Sequence, residues 1–285
     1  MKEKILIVSD STSDLNSELI ERYGIRILPL GVALGQKQYT DGVDVDPDMI
    51  YEHYEKTGEL PKTSAVNVAA FQDFFSEQTE AGYTVICFTI SSDMSSTYQN
   101  ACVAAADFDR VFVVDTRNLS TGGGLLLCKA GDMVAEGKSA EEIVEMCNSL
   151  APCVDASFVI DSLEFLYKGG RCSALAAFGA NLLQLKPCIV VRNGKMGVSK
   201  KYRGRFADVL KKYVAEQVGD GSDIDLTRVF ITHAGCDEEI YNACAETVKS
   251  IVPFKEVQIT RAGCTISSHC GRNTLGVLFI RKNAL

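Results

Sequence analysis

Four strand-like apolar runs, KILIVSD (Lys4 to Asp10), IRILPLGVAL (Ile25 to Leu34), TVICFTI (Thr84 to Ile90) and RVFVVDT (Arg110 to Thr116), alternate with helical patterns through the first half of the chain. The helical patterns fall at Asp14 to Tyr23, Pro47 to Lys56, Ala69 to Ala81, Ser96 to Ala106 and Thr121 to Ala135. Strands that are apolar at consecutive positions have no solvent face. Alternation with helices therefore predicts a doubly wound, mainly parallel sheet with helices on both sides. SAEEIVEMCNSLAP (Ser139 to Pro152) closes this half as a helix, with Ser139 as N-cap and Glu142 as its capping-box partner.

Beyond it the texture changes. ASFVIDSLEFLYKGGRCS (Ala156 to Ser173) reads as a strand and a Gly-Gly turn, and PCIVVRNGKMGVSKKYR (Pro187 to Arg203) as two strands around Asn193-Gly194, a strong hairpin signal. Helix (Arg205 to Val218), strand (Arg228 to Thr232), helix (Asp237 to Ile251) and strands at Lys255 to Ile259 and Leu275 to Ile280 complete a mixed sheet. At 285 residues and 46% hydrophobic, the chain exceeds the size at which one core usually stops growing. The expected architecture is α/β with two domains, residues 1–160 carrying the parallel sheet and 161–285 the mixed sheet. The boundary lies near Ala151 to Ser173, and a ligand is expected between the domains.

A formal net charge of −8 with dispersed Lys and Arg argues against nucleic acid and against an anionic membrane surface. The start, MKEKILIVSDS, is too short in apolar residues for a signal peptide, and the longest apolar stretch, Ser173 to Leu185, is interrupted by Asn181 and Gln184. A soluble, cytoplasmic protein without a stable membrane anchor is expected. Eleven cysteines show no C-x-x-C and no Cys-His spacing of zinc type, so neither metal nor disulfides are expected. Most lie in apolar segments and read as small buried hydrophobes of a reducing compartment.

Three stretches rich in hydroxyls lie far apart: KTSAVN (Lys62 to Asn67), ISSDMSSTYQNA (Ile90 to Ala101) and TISSHCGRNTLG (Thr265 to Gly276). Hydroxyls and amides with no lysine among the ligands suit a single carboxylate better than a polyphosphate. The middle stretch sits where a buried strand becomes a helix, whose unpaired N–H groups and positive dipole end can hold an anion. Each residue also has an ordinary structural use. Ser95 can be a helix N-cap, as can Thr63 and Ser64, His269 can be a satisfied buried histidine, and Asp10 reads as a cap. Gly122 to Gly124 match neither G-x-G-x-x-G nor G-x-x-x-x-G-K-[ST], which leaves close backbone approach to a ligand or a helix. Arg171 lies on a Gly-hinged turn that reads as presented to a partner carboxylate or phosphate and not as part of a ligand tunnel.

In order along the chain, DSTSDL (Asp10 to Leu15), Thr63-Ser64, ISSDMSSTY, VDT with STGGG (to Gly124), LYKGGRCS (Leu166 to Ser173), LKPCI and ISSHCGRNTLG form a set that resembles the DegV family. That family is similar to the FakB fatty-acid-binding proteins. The resemblance implies a carrier, not an enzyme, with no cofactor: a long-chain fatty acid lies between two domains and its carboxylate is presented to a separate fatty acid kinase. It implies carboxylate contacts at Thr63 and Ser95 with His269 close by, and a ligand site that also includes Ser64, Ser96, Gly122 and Gly124. The acyl tail is expected against Ala174 to Leu185 and Phe71 to Phe75, and Arg171 toward the kinase. The chain departs from the family pattern at Ala65-Val66-Asn67, at Ser96 and at Arg272-Asn273. The alternatives are an acyl hydrolase or transferase using Ser95 and His269, without a G-x-S-x-G elbow or an identifiable acid, and a phosphoryl-transfer subunit using His233 or His269, without a Mg2+-ligand cluster.

Overall fold

The computed structural model describes residues 3–172 and 185–285. Its strands run β1 (Ile5–Asp10), β2 (Arg26–Leu28), β3 (Gly31–Leu34), β4 (Lys37–Thr40), β5 (Lys62–Ser64), β6 (Thr84–Thr89) and β7 (Val111–Asp115), then β8 (Val154–Ile160), β9 (Lys186–Arg192), β10 (Lys195–Tyr202), β11 (Ile224–Ala234), β12 (Glu256–Arg261) and β13 (Thr274–Arg281). The helices are α1 (Ser17–Tyr23), α2 (Pro47–Thr57), α3 (Val68–Glu80), α4 (Thr97–Ala105), α5 (Thr121–Glu136), α6 (Ala140–Leu150), α7 (Glu164–Gly169), α8 (Phe206–Val218), α9 (Glu238–Ile251) and α10 (Cys264–Cys270).

The two-domain α/β architecture is the one expected. A parallel sheet in the order β2-β1-β6-β7 is followed by a six-stranded mixed sheet, β10-β9-β8-β13-β11-β12, in which β11 and β12 alone run parallel. Strand β8, which the division after residue 160 would assign to the first domain, pairs with β13 and β9 in the second sheet. The run Ile25 to Leu34 is two strands, not one. It breaks at Pro29-Leu30, after which β3 joins β4 and β5 in a small antiparallel sheet. Proline has no N–H to give a ladder, so the chain leaves the main sheet there.

Successive residues of β1 and β6 serve opposite faces. Leu6, Val8, Val85 and Cys87 pack on Phe71 and Phe75 of α3 and on Ala101 and Ala104 of α4. Ile7, Ile86 and Phe88 face α5, whose other side meets Ala156, Phe158, Phe230 and Leu278 of the mixed sheet. Helix α5 has eleven of its sixteen residues buried, as a helix between two sheets must. The mixed sheet's outer face is covered by α8 and α9, with Tyr213 at the centre.

Asn193 and Gly194 turn the β9–β10 hairpin with left-handed backbone at both residues, and the predicted Ser139–Glu142 capping box is formed. The hairpin tip is held on the first domain by Ser91 Oγ, which donates to the Gly194 carbonyl at 2.8 Å, and by Arg117, which donates to the Asn193 carbonyl. Among the described residues no helix is long and apolar enough to cross a membrane, and none of the eleven cysteines is in a disulfide.

Candidate functional site

In the sheet order β2-β1-β6-β7 the chain reverses direction of winding between β1 and β6, and the crevice beyond the strand ends at that point is where open α/β sheets place ligands. A cavity of about 320 Å³ opens beside it, walled on one side by the loops after β6 and β7 and on the other by residues of the mixed sheet. Its apolar lining includes Ile90, Leu119, Phe158, Leu166, Met196 and Leu278.

The predicted hydroxyls meet in this cavity. Thr63 and Ser64 on β5, Ser95 and Ser96 before α4, and His269 on α10 all line it. Thr63 Oγ1 and His269 Nε2 lie 2.8 Å apart, across 206 positions of sequence. His269 is held neutral at physiological pH: burial, helped by the Arg171 charge, pushes its pKa down to about 4. Ser95 accepts the Thr97 N–H at 3.2 Å and sits 2.9 Å from the Thr97 hydroxyl. Ser95 is thus not the N-cap of α4 but closes a turn just before it, while Ser96 at the N-cap position makes no side-chain cap bond. Asn67, not Thr63 or Ser64, caps α3 by accepting from the Ala70 N–H. Asp10 caps the short turn after β1 through Thr12 and also accepts the Ile90 N–H at 2.8 Å, which ties the two strand ends at the crevice together.

Several expectations are corrected. Gly122 and Gly124 do not line the cavity. A side chain at 122 would strike Asn118 and Ala156, and one at 124 would strike Leu15 and the Ser13 carbonyl, so these glycines serve helix packing. Phe71 and Phe75 lie on the far face of the parallel sheet, stacked 5.5 Å apart. Of Ala174 to Leu185, all but Leu185 lie outside the described residues. Arg171 lines the cavity while remaining exposed, with its guanidinium donating to the Gly169 carbonyl at 2.7 Å; it is a rim residue as well as a surface one. His233 also lines the cavity, and its ring stacks on Tyr241 of α9 at 4.3 Å. Ser95 and His269 are not hydrogen-bonded to each other, and the second ring nitrogen of His269 meets no carboxylate among the described residues, so no nucleophile–base–acid relay is assembled.

Sequence reasoning missed the carboxylates that hold α10 in place. Asp41, buried in the loop after β4, accepts from the Cys264 and Thr265 N–H groups at 2.9 and 3.0 Å and from the Thr265 hydroxyl at 2.6 Å, while Ser11 donates to it at 2.9 Å. Asp14, left-handed at φ 51°, accepts the Gly263 N–H at 2.8 Å and the Ser120 hydroxyl. Burial raises the Asp14 pKa to about 8 and raises that of Asp10 too, against the lowering effect of their hydrogen bonds. Helix α10 packs on its neighbour α7 and also on α2, β3 and β5 from the first half of the chain.

The model of the DegV family, described as uncharacterised proteins, matches residues 4–282. The chain belongs to the DegV family. A DegV domain-containing protein of Caldanaerobacter subterraneus is 33% identical over 98% of this chain and 100% of its own length. Among solved DegV structures, that of Thermus thermophilus, described for its fatty-acid binding, is 30% identical with a TM-score of 0.88 over 98% of this chain and 99% of that one. A stearic acid-binding protein of Eubacterium ventriosum is 29% identical, with a TM-score of 0.84 over 97% and 98% of the two chains. Bacillus subtilis DegV, described as a fatty acid binding protein, is 28% identical with the same score over 98% and 100%.

Proposed function

We propose that this DegV protein binds one long-chain fatty acid in the cavity between its sheets and presents the carboxylate to a separate fatty acid kinase. The observation that carries the reading is the make-up of the cavity. Thr63 and Ser95 both line it, Thr63 in contact with His269, together with apolar side chains such as Ile90, Phe158, Met196 and Leu278. Burying an acyl chain is favourable by about 0.8 kcal/mol per methylene, so the tail supplies most of the affinity. A buried carboxylate needs donors, since an unpaired charge is very costly. Hydroxyl donors satisfy it without a formal counter-charge and leave its oxygens nucleophilic toward a phosphoryl donor. The exposed guanidinium of Arg171 at the rim, suited by its planar donors to a phosphate or carboxylate, supports a contact with the partner. The fatty-acid descriptions of the Thermus, Eubacterium and Bacillus relatives support the ligand class.

Organic extraction of protein purified from a lipid-containing host, read by mass spectrometry, is expected to give one fatty acid per chain. Recovery of none, together with no heat of binding for added oleate, would sink the reading. The kinase step is tested separately, by supplying the loaded protein to a fatty acid kinase and following acyl phosphate.

A further inference from the structure

The contact between Thr63 and His269 has a direction, and the surroundings of the ring decide it. His269 Nδ1 is buried and has no hydrogen-bond partner among the described residues. What it faces is Gly169, the last residue of α7: a Cβ there would stand 2.7 Å from Nδ1. A buried orphan N–H is rarer than an acceptor left unfilled, so the proton of the neutral ring belongs on Nε2. Nε2–H then donates to Thr63 Oγ1 across the 2.8 Å contact, and the Thr63 hydroxyl keeps its own proton for the cavity. In the opposite tautomer Thr63 would give its single proton to the imidazole and turn lone pairs toward a carboxylate.

We propose that Gly169 is a positioning residue for the carboxylate contact: its bare Cα seats the His269 ring with Nδ1 unprotonated, and so releases the Thr63 proton to the ligand. This rests on the fatty-acid reading of the cavity. The two glycines of the KGGR turn thereby separate. Gly170 has φ +69° and open space where a Cβ would be, so its requirement is backbone conformation alone, whereas Gly169 is required by the ring against it.

The chain has three histidines, so nitrogen NMR of protein labelled at histidine reads each tautomer, with the His269 signals assigned by their loss in His269→Gln. In the ligand-free wild type, His269 is expected to carry its proton on Nε2 at neutral pH. In Gly169→Ala the His269 nitrogen shifts should move, and oleate affinity should fall about ten- to a hundredfold, as for loss of one hydrogen bond to a charged group. His269→Gln can keep a donor near Thr63 but has no Nδ1 edge. In that background Gly169→Ala should therefore cost less than about threefold, the non-additivity of residues acting through one another. Gly170→Ala should lower thermal stability and leave the His269 tautomer unchanged. A wild-type proton on Nδ1 would overturn the proposal even if Gly169→Ala fails to fold, and so would an equal affinity loss from Gly169→Ala in both backgrounds. If oleate binds no variant, wild type included, the fatty-acid reading fails, while the tautomer measurement still decides the role of Gly169.

Discussion

Helices α4 and α10 begin alike, in segments rich in serine and threonine, and end up with opposite uses. The first N–H groups of α10 are taken by the protein's own side-chain carboxyl groups, Asp41 on Cys264 and Thr265, and Asp14 on Gly263 just before them. At the start of α4 no carboxylate among the described residues accepts from the helix N–H groups, and Ser95 and Ser96 line the cavity instead. A hydroxyl-rich helix start is thus open to a ligand only where the fold has not already filled it. The filled one here fixes His269 beside Thr63, and the open one supplies Ser95.

The contrast can be broken most forcefully at Asp41. Asp41→Ala should lower stability by about 3 kcal/mol, because several buried donors lose a charged acceptor at once, partly offset by removing a like charge near Asp10 and Asp14. Chemical denaturation reads this, and a loss of only about 1 kcal/mol would make Asp41 an ordinary cap. Asp14 sharpens the same point through pH. Its folded pKa of about 8 lies above the ordinary 3.8, so the folded state holds the proton more tightly, and stability should fall as pH rises from about 4 to about 8. Asp14→Asn tolerates the left-handed backbone and resembles the protonated acid, so it should flatten that slope. Denaturation curves at pH 5, 7 and 9 that run parallel for variant and wild type would contradict it.

At the open helix the expected effect moves from stability to binding. Ser95→Ala should weaken fatty-acid affinity by about 1.5 to 3 kcal/mol while costing about 1 kcal/mol of stability or less. Unchanged affinity in a calorimetric titration would leave Ser95 with only its structural role in the turn before α4. Smallest is Arg171→Ala. An exposed rim charge contributes little, so oleate affinity should change by about threefold or less, while transfer to acyl phosphate slows through a weaker encounter with the kinase. Normal transfer with strongly reduced binding would place Arg171 among the carboxylate ligands.

Much of this was legible along the chain because it depends on neighbours in sequence. The apolar runs of β1, β6 and β7, the Asn193-Gly194 turn and the Ser139–Glu142 box all have local causes, whereas Thr63 and Ser95 were joined only by the family resemblance. Helix α10 was not legible as a helix: at seven residues it has too few turns to show a period. Nor was Asp41, since nothing near it in sequence announces contacts 223 and 224 positions away. Gly122 and Gly124 were read toward a ligand because a glycine signals close approach without saying to what.

Helix α5 carries a kinetic consequence. It is made early in synthesis, yet its apolar surface is completed partly by β8 and partly by β11 and β13, the last of which ends at Arg281. A ribosome that has released only the first half exposes one side of a helix that water does not suit, and contacts of such long sequence separation form slowly. The nascent first domain should therefore need shielding until the last strand emerges. A truncation before β13 should aggregate instead of yielding a smaller folded protein.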